Sequence, residues 1–255
     1  MAFEKSDMHL KEPVDFSIID LGIVCPMANE EDSVFDFVAG TLNTCRPLGF
    51  RSLSFFAILD RVSTDRTRDI LSSMRRDFPE LNIIYAPENR CVVDAYLRGY
   101  REALTSGSQW VLEIDAGLSH RSEDIPPFLV EMSRNDLDCV FATRFSHGGS
   151  IEQSTFSRFL ISKGGTLLAN LLLRTRLHDM TSGFQLFKAG ALKKILAQGI
   201  FSQGPFFQTE MKVYAHRLNM RFAELPIVYR FASHQVGRRA LSDAIRQLWR
   251  LYRRH

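Results

Sequence analysis

Three acidic residues of this 255-residue chain stand in comparable places, because Glu30, Asp60 and Asp115 each follow a short apolar run. Carboxylates converging on one edge bind a ribose, a base edge or a divalent metal holding a diphosphate. Taken singly, each reads as a loop or cap residue. Asn29 and Asp65 flank the first two. A second group is cationic and hydroxylic: Arg144, Arg158 and Ser162, fourteen and then four residues apart. Residues four apart share a helix face, and an arginine fork with a hydroxyl suits a phosphate. A solvated helix face is the simpler reading. Asp179-Met180-Thr181-Ser182-Gly183-Phe184 reads as a tight polar turn between helical regions. Phe207-Gln208-Thr209-Glu210-Met211 places Glu210 in the first turns of a helix, where an acid often only complements the dipole. The histidines show no metal-ligand spacing, and neither a G-x-S-x-G motif nor a P-loop is present.

The elements that must position these groups alternate. Phe16 to Val24 reads as a strand stopped by Pro26, and Glu30 to Cys45 as a helix with Val34, Phe37, Val38, Thr41 and Leu42 on one face, capped by Asn29. Leu53 to Leu59, Asn82 to Ala86 and Trp110 to Ile114 read as strands, with helices over Thr67 to Phe78 and Val92 to Ser106. Such alternation predicts a parallel sheet with helices on both faces and ligands at the carboxyl ends of its strands. The second half carries helices over Ser157 to Arg176, Phe206 to Leu218 and Leu241 to Arg254, and a strand over Ala223 to Tyr229.

Composition is that of a globular chain, 45% apolar and 24% charged, with a net charge of +3, so collagen-like, disordered and disulfide-scaffold classes are excluded. The cysteines, Cys25, Cys45, Cys91 and Cys139, are scattered singly and read as reduced thiols of a cytosolic chain. Met1 to Lys11 lacks the pattern of a signal peptide, and no run approaches the length of a membrane span. One domain ending in a basic helix is the economical organisation: a tail over 1–15, a catalytic domain over 16–236 and a basic amphipathic helix over 237–255.

Read in order, these segments resemble the polyprenyl-phosphate (dolichol-phosphate) mannosyltransferases of the inverting family 2 of GT-A glycosyltransferases, over roughly residues 16–241. Cys25-Pro26-Met27-Ala28-Asn29-Glu30-Glu31 stands for P-x-x-N-E-E, Asp60-Arg61-Val62-Ser63-Thr64-Asp65-Arg66-Thr67 for D-D-G-S-T-D-G-T, and Asp115-Ala116-Gly117-Leu118-Ser119-His120 for D-A-D-L-S-H. Ala142-Thr143-Arg144-Phe145, Gly148 to Ile151, Ser157 to Gly164, Asp179 to Phe184 and Phe207 to Met211 follow as in the family. The resemblance implies a GT-A (Rossmann-like), mostly parallel α/β sheet flanked by helices. It also implies an enzyme that moves mannose or glucose from a nucleoside-diphosphate sugar to a polyprenyl or dolichyl phosphate with inversion. Pro26, Asn29, Glu30, Asp60, Asp65 and Ala116 would hold the nucleotide sugar. Asp115 would sit at the diphosphate and its Mg²⁺ or Mn²⁺. Arg144, Arg158 and Ser162 would grip the acceptor phosphate. A phosphate monoester, with its second pKa near ~6, is mostly dianionic at neutral pH and needs positioning and charge neutralisation rather than a base.

Two departures bear on this. Gly117 replaces the second acid of D-A-D, leaving Asp115, with Glu113 on the same strand face as the other candidate ligand. Arg61 and Arg66 replace an acid and a glycine, and two cations near a diphosphate substitute in part for a metal. A hydroxyl acceptor, saccharide or modified nucleobase, would require a base, for which Asp179 or Glu210 are the candidates. A binding subunit that keeps the fold without turnover is the non-enzymatic alternative. The terminal helix, with Trp249 and Tyr252 among arginines, fits the cytoplasmic surface of a membrane as well as it fits ordinary packing, and nucleic acid less well. GDP-mannose is the expected sugar donor and UDP-glucose the next.

Overall fold

The structure, a computed structural model, describes residues 14–152, 156–230 and 238–254, with the backbone alone for 156–161 and 238–241. Strands β1 (Asp20–Met27), β2 (Ser52–Leu59), β3 (Leu81–Tyr85), β4 (Trp110–Glu113), β5 (Cys139–Thr143), β7 (Gln185–Lys188) and β8 (Phe222–Pro226) form one sheet in the order β3-β2-β1-β4-β7-β5-β8. Pairing is parallel except at β7, which runs antiparallel to β4 and to β5. A second, two-stranded sheet joins β6 (Ser150–Glu152) to β9 (Val228–Arg230). The helices are α1 (Val34–Cys45), α2 (Thr67–Met74), α3 (Val92–Thr105), α4 (Ile125–Arg134), α5 (Phe156–Leu173), α6 (Ala189–Leu196), α7 (Phe207–Arg217) and α8 (Arg238–Arg253).

Both sheet faces are covered, and that is why the central strands are almost uninterrupted apolar runs. Ile23 and Cys25 of β1 and Phe55 and Ala57 of β2 enter one core, against Leu42 of α1 and Phe128 of α4. Val24, Phe56 and Ile58 enter the other, with Tyr100 of α3, Leu192 of α6, Met211 of α7 and Leu251 of α8. Each fully buried side chain of this size contributes about 1.5–3 kcal/mol. Because β1, β2 and β4 run the same way in register, the loops after Met27, Leu59 and Glu113 emerge along one edge.

Several boundaries differ from the sequence pattern. β1 continues through Pro26, which pairs with Ile58, instead of stopping there. Its pairing with β4 has already ended at Val24, so the missing N–H of Pro26 breaks no ladder on that side. Asn29 does not cap α1, which begins only after Ser33. The amides of Glu30 and Glu31 are held by Thr67 Oγ1 and Asp65 Oδ2, drawing this segment out of the helix. α2 ends at Met74, short of Phe78, the residue before Pro79, where the following ring disfavours helical backbone. The strand expected over Ala223 to Tyr229 divides into β8 and β9, which belong to different sheets.

Candidate active site

The loops after β1 and β2 are interlocked. Asn29 is held in left-handed backbone, φ 58°, a conformation asparagine tolerates better than most residues. Its amide Nδ2 donates to Val62 O at 3.1 Å, and its Oδ1 accepts from Thr64 N at 2.9 Å. Glu30 N donates to Thr67 Oγ1 at 2.7 Å and Glu31 N to Asp65 Oδ2 at 2.9 Å. Asp60 turns its own loop by accepting from Val62 N at 2.8 Å. Five of the nucleotide-site residues named from sequence, Pro26, Asn29, Glu30, Asp60 and Asp65, thus lie along one rim at the ends of β1 and β2.

Asp115 and Glu113 lie two residues apart at the end of β4, facing two tyrosines one helical turn apart on α3. Tyr96 donates to Asp115 Oδ1 and Tyr100 to Glu113 Oε2. Gln208 Nε2 closes the far side of Glu113 with a 2.6 Å bond to Oε1. The two carboxyls are in opposite states. Burial pushes Glu113 up to about 8, against the hydrogen bonds from Tyr100 and Gln208. Asp115 is only half-buried, and the His120 contact and the Tyr96 hydroxyl outweigh its desolvation, holding it below the usual carboxylate range. His120 Nε2 stands 3.4 Å from Asp115 Oδ2, its ring wedged between Phe184 and Tyr229. Gly183 makes room for Asp115, since a Cβ there would lie 2.8 Å from Oδ2.

On the other side of the pocket is a buried charge cluster. Asp179 accepts from Arg144 Nε at 2.7 Å, Arg144 Nη2 at 2.9 Å and the amides of Arg144 and Thr181. Against full desolvation, the paired guanidinium holds its carboxyl far below the usual range. Lys212 of α7, fully buried, donates to Asp179 O at 2.7 Å. Burial brings its ammonium down to about 8, although Asp179 and Glu224 oppose this. Glu224 of β8 accepts from the amides of His178 and Asp179 and so shapes the same turn. Removing one partner from such a pair costs about 3–5 kcal/mol, because the other is left buried and charged.

Between these groups lies a pocket of about 250 Å³. Asp115, Tyr96 and Gln208 line one side, Arg144 and Tyr229 another, with Ser182, Gly183, Gly204 and Pro205 completing it. Ser182 Oγ is buried there without a hydrogen-bond partner among the described residues. Of the residues named from sequence, Asp115 and Arg144 line this cavity. Ala116 follows Asp115 and is partly buried against the first core. Glu113 and Asp179 are enclosed behind the wall. Glu210 points away, its oxygens accepting the amides of Phe201 and Ser202 at 3.2 and 3.0 Å. Ser162 is half-buried on α5, and the side chain of Arg158 lies outside the described residues.

The family model "Glycosyl transferase family 2" matches residues 23–196. The chain belongs to that family. An undecaprenyl-phosphate mannosyltransferase of Micrococcus luteus is 30% identical over 188 residues, 74% of this glycosyltransferase and 76% of that protein. A dolichol-phosphate mannosyltransferase of Pyrococcus furiosus is 25% identical, over 91% of this chain and 63% of its own length. Among solved structures, glucosyl-3-phosphoglycerate synthase of Mycobacterium tuberculosis with uridine diphosphate aligns with a TM-score of 0.65 at 15% identity, covering 92% of this chain and 80% of that one. A further structure of that synthase holds Mn²⁺, uridine diphosphate and phosphoglyceric acid, with a TM-score of 0.63 at 16% identity over 91% and 77% of the two chains. These likenesses show the GT-A-like fold, a mostly parallel sheet flanked by helices.

A divalent ion in this glycosyltransferase calls for a set of oxygen donors. Among the described residues no group of three or more His, Cys, Asp or Glu side chains could hold one. Gly117 adopts φ 85°, in which an aspartate would be strained, so the loop itself is built for glycine. Asp115, ionised and open to the pocket, fits an ion that takes a single protein carboxylate and completes its shell with diphosphate oxygens and water. The sequence alone does not mark Tyr96, Tyr100, Gln208 and Lys212 as site residues. Tyrosines at i and i+4 look like an ordinary core face, and a lysine amid a helix looks solvated. The signal available for Gln208 was its place in the Phe207–Met211 motif.

Proposed function

We propose that this glycosyltransferase moves a hexose from a nucleoside-diphosphate sugar to the phosphate of a polyprenyl phosphate, with inversion, at the cytoplasmic face of a membrane. The observation that carries the reading is the pairing, in one pocket, of the ionised Asp115 with the buried and oriented Arg144. Glu30, Asp60 and Asp65 on the rim hold the nucleoside, and the hexose occupies the pocket beside Gln208 and the unpartnered Ser182 hydroxyl. Arg144, with Arg158 and Ser162 of α5, receives the acceptor phosphate.

In the reaction a phosphate oxygen attacks the anomeric carbon as the bond from that carbon to the diphosphate oxygen breaks. The acceptor monoester becomes a diester, and the nucleoside diphosphate leaves. No proton need be removed from a dianionic acceptor. A divalent ion, Mg²⁺ or Mn²⁺, held by Asp115 would supply Lewis-acid neutralisation of charge on the departing diphosphate. Tyr96 and His120 keep Asp115 oriented and ionised. Asp179 fixes the Arg144 fork, so that cation needs no reorganisation as negative charge moves. Exposed Arg61 adds positive charge at the rim, whereas Arg66 is drawn to Glu31 at 3.2 Å.

A hydroxyl acceptor would need a base, and the two carboxylates suited to that role by sequence do not line the pocket. Asp179 is spent on Arg144, and Glu210 on the loop that precedes α7. This favours the phosphate. GDP-mannose is the first sugar donor to test and UDP-glucose the second. Incubation of either with Mn²⁺ and a polyprenyl phosphate should give a polyprenyl-phosphohexose, abolished by Asp115→Asn. Nucleotide binding without turnover for any acceptor would favour a binding subunit, and product on a saccharide or nucleobase hydroxyl alone would overturn the acceptor assignment.

A further inference from the structure

Helices α5 and α8 pack against one another and each buries one face in the second core, through Ala169 and Leu173 on α5 and Leu248 and Leu251 on α8. Their other faces are apolar as well. Leu167 and Leu171 are 70% and 75% exposed, and Ile245, Trp249 and Tyr252 are 55%, 50% and 42% exposed. The last three recur at i, i+4 and i+7 and therefore form one stripe. Trp249 and Tyr252 stack at 5.4 Å, and the Arg253 guanidinium lies 5.6 Å over the Trp249 ring. Large apolar side chains gathered on neighbouring helices mark a contact surface rather than chance exposure.

Charge selects the partner. The sequence of α5 contains Arg158 and Lys163 and no acid, and that of α8 five arginines and one aspartate. A second copy of this chain would set like charges face to face. An anionic lipid surface would receive the leucines and aromatic rings at the headgroup boundary and pair with the arginines around them.

We propose that the outward faces of α5 and α8 together form a docking surface for an anionic membrane, with Leu167, Leu171, Ile245, Trp249 and Tyr252 inserted and Arg246 and Arg253 at the headgroups. The proposal deepens, and rests on, the lipid-phosphate reading of the acceptor. Ser162 precedes Leu167 by five residues, about 7.5 Å of helical rise, so the acceptor-phosphate end of α5 would stand just above the bilayer that holds the lipid tail. Docking also bears on the pocket. Arg250 and Arg254 of the α8 end lie 4.5 and 4.6 Å over Phe201, and Arg254 Nη1 donates to Gly199 O. The segment they brace leads into the pocket residues Gly204 and Pro205.

The test uses the full chain with vesicles of phosphatidylcholine alone and of phosphatidylcholine with phosphatidylglycerol. Sedimentation should show binding to the anionic vesicles, weakened by salt, with a blue shift in tryptophan emission that comes from Trp249, since Trp110 is buried. Leu171→Ser combined with Trp249→Ser should lower the partition at least about tenfold, and Arg246→Gln or Arg253→Gln about fivefold each. All three variants should still glycosylate a short, water-soluble prenyl phosphate, which shows that they fold. No binding to anionic vesicles at low salt, or variants that bind like the wild type, would overturn the proposal. So would dimers in light scattering that the same substitutions dissolve. Transfer to the short acceptor without vesicle binding sinks this inference and leaves the proposed function standing; vesicle binding without transfer does the reverse.

Discussion

At the ends of β1 and β2, Asn29, Glu30 and Glu31 are tied to Val62, Thr67 and Asp65 by hydrogen bonds at or near the surface. Around the pocket, Arg144, Asp179, Lys212, Glu113 and Gln208 are almost wholly enclosed. The rim exchanges water contacts for internal ones at little net cost, each bond worth about 1 kcal/mol. The enclosed cluster is stable only with every partner present, because a buried charge left alone is expensive. The rim can therefore accept residues such as Arg61 and Arg66 without endangering the fold. The pocket wall has no such latitude, and there folding and chemistry depend on the same bonds.

The sharpest way to break this contrast is Arg144→Ala. It strands Asp179 and should cost about 3–5 kcal/mol of stability in denaturant titration along with turnover; a loss under 1 kcal/mol would show that the cluster is not enclosed in solution. Next is Glu113→Gln. The Glu113 carboxyl, raised by burial to about 8, keeps its proton in the folded chain while the unfolded chain releases it from about 4.5. Its contribution is full in acid and is lost as pH rises from about 4.5 towards about 8, on the order of 4–5 kcal/mol. Thermal melts of wild type should fall over that window relative to those of the variant; parallel curves would mean that Glu113 is ionised in the fold. Tyr96→Phe removes the bond that orients Asp115 and should lower kcat about tenfold while leaving the KM for the lipid acceptor unchanged. At the rim, Asn29→Gly keeps the backbone conformation but loses the side-chain bonds to Val62 and Thr64. It should cost about 1–2 kcal/mol and raise the KM for the sugar donor only.

The rim was largely legible in the sequence, because apolar runs followed by Asn, Asp and Glu are local signals and parallel register brings them together. The pocket was legible only as separate pieces. Asp179 reads as a free acid until the fold sets it against Arg144, thirty-five residues away, and Glu210 reads as a helix-dipole partner until it is seen holding the preceding loop. β7 leaves no mark in the sequence, because a short strand between a polar turn and a helix has no alternation to display. Its antiparallel insertion between β4 and β5 nevertheless brings the Asp179–Gly183 turn up to Asp115. Lys212 could not be read as buried from one helix, since its enclosure depends on β5 and on the carbonyl of Asp179.

The division between rim and pocket is tested most directly by calorimetric titration of GDP and UDP, each with Mn²⁺, into wild type, Asp60→Asn and Arg144→Lys. Asp60→Asn should weaken the preferred nucleotide about tenfold or more, and Arg144→Lys, which keeps the charge but loses the fork, should bind it within about twofold of wild type while its transfer activity collapses. Equal weakening in both variants, or loss in Arg144→Lys with Asp60→Asn unaffected, would contradict the assignment of nucleotide to the rim and acceptor to the pocket.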